Sequence, residues 1–191
     1  MNSATLSPQA FESRYRLGRD PWSFAQSPYE LGRYRTIIAS LQRSSYAAAY
    51  EPGCSVGVLT RQLAAMAARV TAIDFAPSAV TQAKTQCAGC DNVELICADV
   101  RIFMPAAPLD LIVFSEIGYY FSLPELSQLA AGLANRMVTG GEFIAAHWLG
   151  SSTDHVLHGN QVHECLREGL PLRPLKSEVH RGFRLDSWVK P

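Results

Sequence analysis

The residues Glu51-Pro52-Gly53-Cys54-Ser55-Val56-Gly57 lie where a short apolar run, Tyr46 to Tyr50, gives way to a helical pattern. A glycine at 53 permits a tight turn and lets a ligand approach the backbone, and a glycine at 57 allows close helix packing. Position adds meaning to a loop that would otherwise be commonplace. Asp74 ends the next apolar run, Val70 to Ile73, and falls 23 residues after Glu51. An acid there can accept both hydroxyls of an adenosine ribose. A further run, Val93 to Cys97, leads into Ala98-Asp99-Val100. Asp99 can accept a proton from an adenine amino group, with the apolar neighbours Phe75 and Val100 covering the ring. Each acid alone reads equally well as a cap or turn residue. Three in register describe an adenosine pocket.

Charge then separates the adenosine cofactors. Dinucleotide enzymes place G-x-G-x-x-G against a pyrophosphate at a helix N-terminus. Here the glycines are spaced G-x-x-x-G and the loop opens with an acid. An acid at 51 repels a pyrophosphate and suits the ammonium of a methionine moiety. S-adenosylmethionine is therefore expected over NAD, with S-adenosylhomocysteine as product. An NAD-dependent oxidoreductase and a non-catalytic S-adenosylmethionine-binding protein are the alternatives from other classes.

The elements that must hold these residues follow from periodicity. Pro8 to Arg19 carries a weak helical pattern that Asp20-Pro21 breaks. Ser27-Pro28 reads as an N-cap and first-turn proline for a helix whose apolar stripe runs from Tyr29 to Leu41. Helices are expected over Val56–Ala68, Pro77–Cys87 and Leu123–Met137, the last stopped by Gly140-Gly141. Strands are expected at Val70–Ile73, Val93–Cys97, Leu109–Phe114 and Glu142–His147. A short helix near Gln161 to Leu166 precedes Leu172–Val179 and Phe183–Val189, an antiparallel hairpin turning at Arg181-Gly182. Short uninterrupted apolar strands alternating with helices argue for a doubly wound α/β sheet with helices on both faces.

These residues carry a resemblance. Glu51 to Gly57, Asp74, Ala98-Asp99-Val100 and Gly140-Gly141 resemble a class I S-adenosylmethionine-dependent methyltransferase. Asp20-Pro21-Trp22, Tyr29-Glu30, the loop from Gly53 to Thr60, and Asp110 to Val113 followed by Ser115 to Tyr120 are similar to the nodulation protein S family. The resemblance implies a seven-stranded, mostly parallel sheet with an antiparallel C-terminal hairpin. Residues 1–45 would form a helical lid on a core at 46–191, one methyltransferase domain with no separate substrate domain. It implies N-methylation of the free amine of a partly deacetylated chitooligosaccharide, with O-, N- or S-methylation of another small molecule as the alternative. The cofactor set then comprises Glu51, Gly53, Cys54, Ser55, Gly57, Asp74, Phe75, Asp99, Val100 and Ser115, together with Trp22, Tyr29 and Arg33 from the lid. Arg33 is a candidate clamp for the cofactor carboxylate, or a solvated helix residue. Where many class I members have glycine, Ser55 must be tolerated or offer its hydroxyl to the ligand.

The acceptor would enter opposite the adenosine cradle. Glu116 and His147, both at expected strand ends, are the candidate proton acceptors, because only a neutral amine attacks. Tyr119, Tyr120, Trp148 and His163 are candidates to line the acceptor site, their rings suiting sugars and cations alike. No Asn/Asp-Pro-Pro-Tyr/Phe run follows Phe114 and no Pro-Cys pair occurs, which argues against nucleobase and glutamine nitrogens and cytosine C5. Seventeen basic and 17 acidic residues balance to zero, which argues against a nucleic-acid partner. Five cysteines with one Cys87-x-x-Cys90 pair, and histidines at 155, 158 and 163, lack the spacing of a metal site, so none is expected. No leader is recognised in Met1 to Glu12, and no apolar run is long enough to span a membrane. A cytoplasmic monomer or small homo-oligomer acting on a small-molecule or oligosaccharide substrate is expected.

Overall fold

The computed structural model describes residues 7–18, 20–106 and 108–191. Residues 1–6 and Arg19, on which the leader and first-helix expectations partly rest, lie outside the described residues. Two helices come first, α1 (Pro8–Leu17) and α2 (Pro28–Ser40). Each starts with a proline behind a serine cap: Ser7 Oγ accepts from Ala10 N–H and Ser27 Oγ from Glu30 N–H. Five parallel strands then alternate with helices: β1 (Ala49–Pro52), α3 (Val58–Ala64), β2 (Val70–Asp74), α4 (Pro77–Gln86), β3 (Val93–Cys97), β4 (Leu109–Ser115), α5 (Leu123–Asn135) and β5 (Met137–Trp148). After α6 (Gly159–Gly169), β6 (Arg173–His180) and β7 (Phe183–Val189) form the expected hairpin. Spatial order is β3-β2-β1-β4-β5-β7-β6, with β7 antiparallel to β5.

This is the mostly parallel seven-stranded α/β sheet anticipated above, and its central strands explain why they read as continuous apolar runs. Both faces of β1 and β4 are buried. One apolar layer gathers Tyr50, Ile112 and Phe114 with Leu126 and Leu133 of α5, and the other gathers Ala49, Leu111 and Val113 with Leu59, Leu63 and Ala83. Among the described residues no helix is long and apolar enough to cross a membrane.

Two expected boundaries are corrected. Helix α3 stops at Ala64 rather than Ala68, because Tyr46 N–H donates to Met66 O and Ala68 N–H to Tyr46 O. That bridge pulls the segment out of helical geometry. The Gly140-Gly141 pair does not separate helix from strand, since β5 already starts at Met137. Its register jumps from Leu109↔Met137 to Leu111↔Glu142, and the glycines exchange hydrogen bonds with Lys190 instead. They form a bulge inside the strand.

Gly57 caps α3 with φ +83°, and a Cβ there would come within 2.9 Å of the Ala83 backbone in α4. Gly57→Ala should lower stability by ~1–3 kcal/mol through strain and forced helix separation. Urea unfolding measures this, and an unchanged midpoint would mean that α3 and α4 part freely.

Candidate functional site

The carboxyl ends of β1 to β4 open on a cavity of about 540 Å³, within the ~300–1,000 Å³ of small-molecule sites. Its place is the point where strand order reverses, between β1 and β4, as expected for an open α/β sheet. Glu51, Gly53, Cys54, Ser55, Asp74, Phe75, Asp99, Val100 and Ser115 all line it. Trp22 and Tyr29 line it from the N-terminal segment, and Glu116, Tyr119, Tyr120 and Trp148 from the far side. The sequence-derived set is thus largely brought together.

At one end stand buried carboxylates. Glu51 Oε2 accepts Thr60 Oγ1–H at 2.6 Å. No cation is paired with it among the described ion pairs. Burial pushes its carboxyl up to about 8, against the pull of the Thr60 hydrogen bond. Asp74 takes the Ala76 N–H at 2.9 Å and the Ser55 N–H at 3.0 Å. Burial nevertheless raises it to about 6. Asp99 is bound by the Arg101 backbone and guanidinium at 2.5–3.0 Å, which overcomes a partial burial cost and holds it ionised below its ordinary value. Ser115 Oγ is buried and has no hydrogen-bond partner within the described protein.

These donors and acceptors fit the cofactor expected above. Glu51 lacks only a cation, Asp74 keeps lone pairs for hydroxyls, and Ser115 has an unused hydroxyl. Ser55 adopts φ +49°, unusual for a non-glycine residue. Its hydroxyl accepts from Tyr15 of α1 at 2.7 Å. The side chain that replaces glycine is therefore tied to α1, an outcome the sequence left open. Gly57 lies outside the cavity wall and serves helix packing.

The other end is built around Arg33, and here one expectation is corrected. Its side chain is fully enclosed, absent from the cavity wall, and paired with Glu30 and, at 3.1 Å, Glu116. Held by two carboxylates, it is neither an open clamp for a cofactor carboxylate nor a solvated helix residue. Glu30, which the sequence reading missed, lines the cavity, and burial lifts it to about 7 despite Arg33. The missed signal was an acid three residues before a base on one helix face. Glu116 sits at φ +60° and receives the Trp148 N–H at 2.7 Å and the Tyr119 hydroxyl at 2.8 Å. With a hydrogen-bond donor on each oxygen and the Arg33 charge alongside, it orders the wall.

His147 and His163 are also corrected. Both are 0% exposed and outside the cavity wall. They bond to each other at 3.2 Å, so neither can touch an acceptor. The cavity histidine is His155, whose ring stacks on Tyr119 with centroids 3.7 Å apart. Beside it Asp154 pairs with Arg14 of α1 at 2.8 Å. Helix α1 thus touches both ends: Tyr15 at Ser55, Arg14 at Asp154, and Phe11 edge-on to Phe75 and Tyr120.

Glu51 at about 8 is mostly protonated at pH 7 and must lose its proton to pair with an ammonium. S-adenosylhomocysteine should therefore bind with release of about one proton at pH 7, and bind more tightly as pH rises from about 6 to about 8. In the ligand-free protein the sign is opposite. A carboxyl whose folded value exceeds its unfolded one makes stability fall as pH rises from about 4.5 through about 8. Calorimetry in buffers of different ionisation enthalpy reads the proton count. Glu51→Gln should abolish it, and equal release from that variant would exclude Glu51 as the source.

Comparison with known proteins places this geometry in a family. The nodulation protein S (NodS) family profile matches residues 11–158. Nodulation protein S of Bradyrhizobium diazoefficiens is 30% identical over 117 residues, 61% of this chain and 55% of that protein. The Sinorhizobium fredii protein of that name is 33% identical over 102 residues, 53% of this chain and 47% of its own length. The chain thus spans about half the length of these two relatives. Among solved structures, the N-methyltransferase NodS of Bradyrhizobium japonicum WM9, in complex with S-adenosyl-l-homocysteine, superposes with a TM-score of 0.84 at 22% identity, covering 96% of this chain and 98% of that one. That likeness establishes a shared fold. With the profile covering well over half of its residues, the chain belongs to the nodulation protein S family.

Proposed function

We propose that the chain is an S-adenosylmethionine-dependent methyltransferase of the cytoplasm that methylates the nitrogen of a polar amine, the free amine of a deacetylated chitooligosaccharide being the leading acceptor. One observation carries this reading: a single cavity has buried, cation-seeking carboxylates at one end and an aromatic, acid-rich wall at the other. Support comes from the Bradyrhizobium japonicum relative, an N-methyltransferase described with S-adenosyl-l-homocysteine, and from relatives named nodulation protein S.

When bound, S-adenosylmethionine supplies a methyl group on a positively charged sulfur. Glu51 would hold the ammonium of its amino-acid moiety, Asp74 the ribose hydroxyls, and Phe75, Asp99 and Val100 the adenine. Ser115 offers a further hydroxyl. At the other end Glu30, Glu116 and Asp154 outnumber Arg33 and Arg14, so the wall favours a cationic acceptor over an anionic one. Tyr120 and Trp148 also line the cavity, and an aromatic face meeting a cation there would be worth ~0.5–2 kcal/mol. Catalysis would consist chiefly of aligning acceptor and donor and excluding water.

The acceptor must shed a proton before it attacks, and His155 is the group we assign to take it. It lines the cavity, and burial lowers it from its ordinary value more than Asp154 and Glu116 raise it. A neutral imidazole is therefore the main form at pH 7.

Calorimetry should show S-adenosylhomocysteine binding, and Asp74→Ala should weaken it by roughly tenfold or more. Labelled S-adenosylmethionine offered with chitooligosaccharides, then with small amines and phenols, identifies the acceptor. A sugar left unlabelled beside a labelled small amine would move the assignment to a small molecule, and no transfer to any acceptor would indicate a non-catalytic binder. His155→Gln should lower kcat about 10²-fold or more with S-adenosylhomocysteine affinity retained. A variant as fast as the parent at every pH removes His155 from the proton step.

A further inference from the structure

The two histidines that miss the cavity belong to a buried chain of hydrogen bonds with a definite direction. Gly118 N–H donates to His147 Nε2 at 3.0 Å. A backbone amide only donates, so Nε2 must be the unprotonated nitrogen of His147, and its proton must sit on Nδ1. Nδ1 lies 3.2 Å from His163 Nε2. That contact requires His163 Nε2 to accept, which places the His163 proton on its own Nδ1. There it meets Asp186 Oδ2 at 2.9 Å. Arg184 completes the series by pairing with the same carboxylate at 2.9 Å. Every bond has one donor and one acceptor, and each of the two imidazoles carries only the proton that this direction requires.

The chain crosses the fold. Asp186 stands on β7, His163 on α6 and His147 on β5. It ends at the first residue of the 3₁₀ turn Gly118–Tyr120, whose Tyr119 and Tyr120 line the cavity. That turn is also a junction. Tyr119 O accepts from Val156 and Leu157 N–H at 2.8 and 3.1 Å, fixing the segment just after His155. Glycine is required at 118, because a Cβ would come within 2.4 Å of Val162 Cγ1 and 2.8 Å of His147 Nε2. Three secondary elements thus converge on one backbone amide, and that amide positions the aromatic wall and His155.

We propose that His147 and His163, anchored by Asp186, are positioning residues that set the acceptor wall through Gly118, and that they are not a proton wire. The proposal rests on the methyltransferase reading for its functional consequence and on geometry alone for its tautomers. A wire would need an exchangeable end facing the cavity, whereas here the end nearest the cavity is capped by an amide. Proton gain at His147 Nε2 would set a donor against a donor and release the turn. The charged and titratable groups near the two rings are Asp186 and Arg184 at the anchored end, His155 across Tyr119, and the Arg33–Glu116 pair behind the turn. Burial dominates these neighbours and lowers both histidines.

Nitrogen-15 NMR of the ligand-free protein tests the chain directly. Both imidazoles should hold the neutral Nδ1–H tautomer at neutral pH, and the Gly118 amide should exchange slowly. An Nε2–H tautomer or a doubly protonated ring at that pH would overturn the proposal. For function, His147→Phe removes the acceptor for Gly118, while His147→Gln offers a carbonyl in its place. His147→Phe should raise the acceptor KM or lower kcat/KM roughly tenfold or more, with S-adenosylhomocysteine affinity within about threefold of the parent and with recovery in His147→Gln. A purely structural residue would reduce the active fraction and leave KM unchanged, and that result, or an unaltered His147→Phe, counts against positioning. If His147→Phe does not fold, Asp186→Asn and the parent tautomers decide. Loss of S-adenosylhomocysteine binding by the parent protein would instead remove the functional reading and leave the tautomer result standing.

Discussion

Much of this molecule is arranged around the cost of enclosing Arg33. A guanidinium with no exposed surface is tolerable only where carboxylates meet it, and breaking such a pair by removing one partner costs ~3–5 kcal/mol. Glu30 supplies one carboxylate from the same helix. Glu116 supplies the other from beyond the end of β4, and reaches it from a left-handed backbone conformation at φ +60°. Strain of this kind persists where surroundings over-determine it. Here they do, because Glu116 also accepts from the Trp148 amide and the Tyr119 hydroxyl. One buried cation therefore docks α2 on the sheet and fixes the cavity loop that follows β4.

The two ends of the cavity handle negative charge differently. Glu116 has donors on both oxygens and its arginine in place, so its charge is already compensated. Glu51 has one hydroxyl and, among the described residues, no cation, and its proton is retained to about 8. A carboxyl in that state is poised to ionise when a cation arrives. The neutral balance of 17 basic and 17 acidic residues thus conceals a local asymmetry. Arginines are paired with acids around Glu116 and Asp154 and at Asp99, while among the described residues no cation is paired with Glu51 at the β1 terminus.

What the sequence revealed followed from short-range physics. Apolar runs of four to seven residues with both faces buried announce parallel strands, and acids at their carboxyl ends announce a ligand edge. The Ser-Pro helix starts and the Arg181-Gly182 hairpin were legible for the same reason, since caps and turns are local. The failures were tertiary. Nothing around Met66 to Ala68 reveals that Tyr46 will bond to it, and nothing beside Gly140 reveals Lys190. The histidines misled because strand position alone does not tell a cavity end from a buried one. His147 is the next-to-last residue of β5, yet its ring turns toward α6 and the Gly118 turn. His155 was passed over because its neighbours in sequence carry no sign of the Tyr119 ring beneath it.

Helix α1 joins the two ends and completes the physical picture. Tyr15 bonds to Ser55 in the cofactor loop, Arg14 pairs with Asp154 beside His155, and Phe11 lies between Phe75 and Tyr120. Glu12 adds two bonds to Ser78 at the head of α4, at 3.0 and 2.5 Å. None of these contacts is strong alone, since part-exposed ion pairs contribute ~0–1 kcal/mol. They act on one rigid ten-residue helix, however, so ordering by any one of them lowers the entropic cost of the others. A ligand that steadies Ser55 therefore also steadies Arg14 and Phe11 against Asp154 and Tyr120. Serine in place of glycine at position 55 is what makes that link, because glycine would leave Tyr15 without its hydroxyl partner.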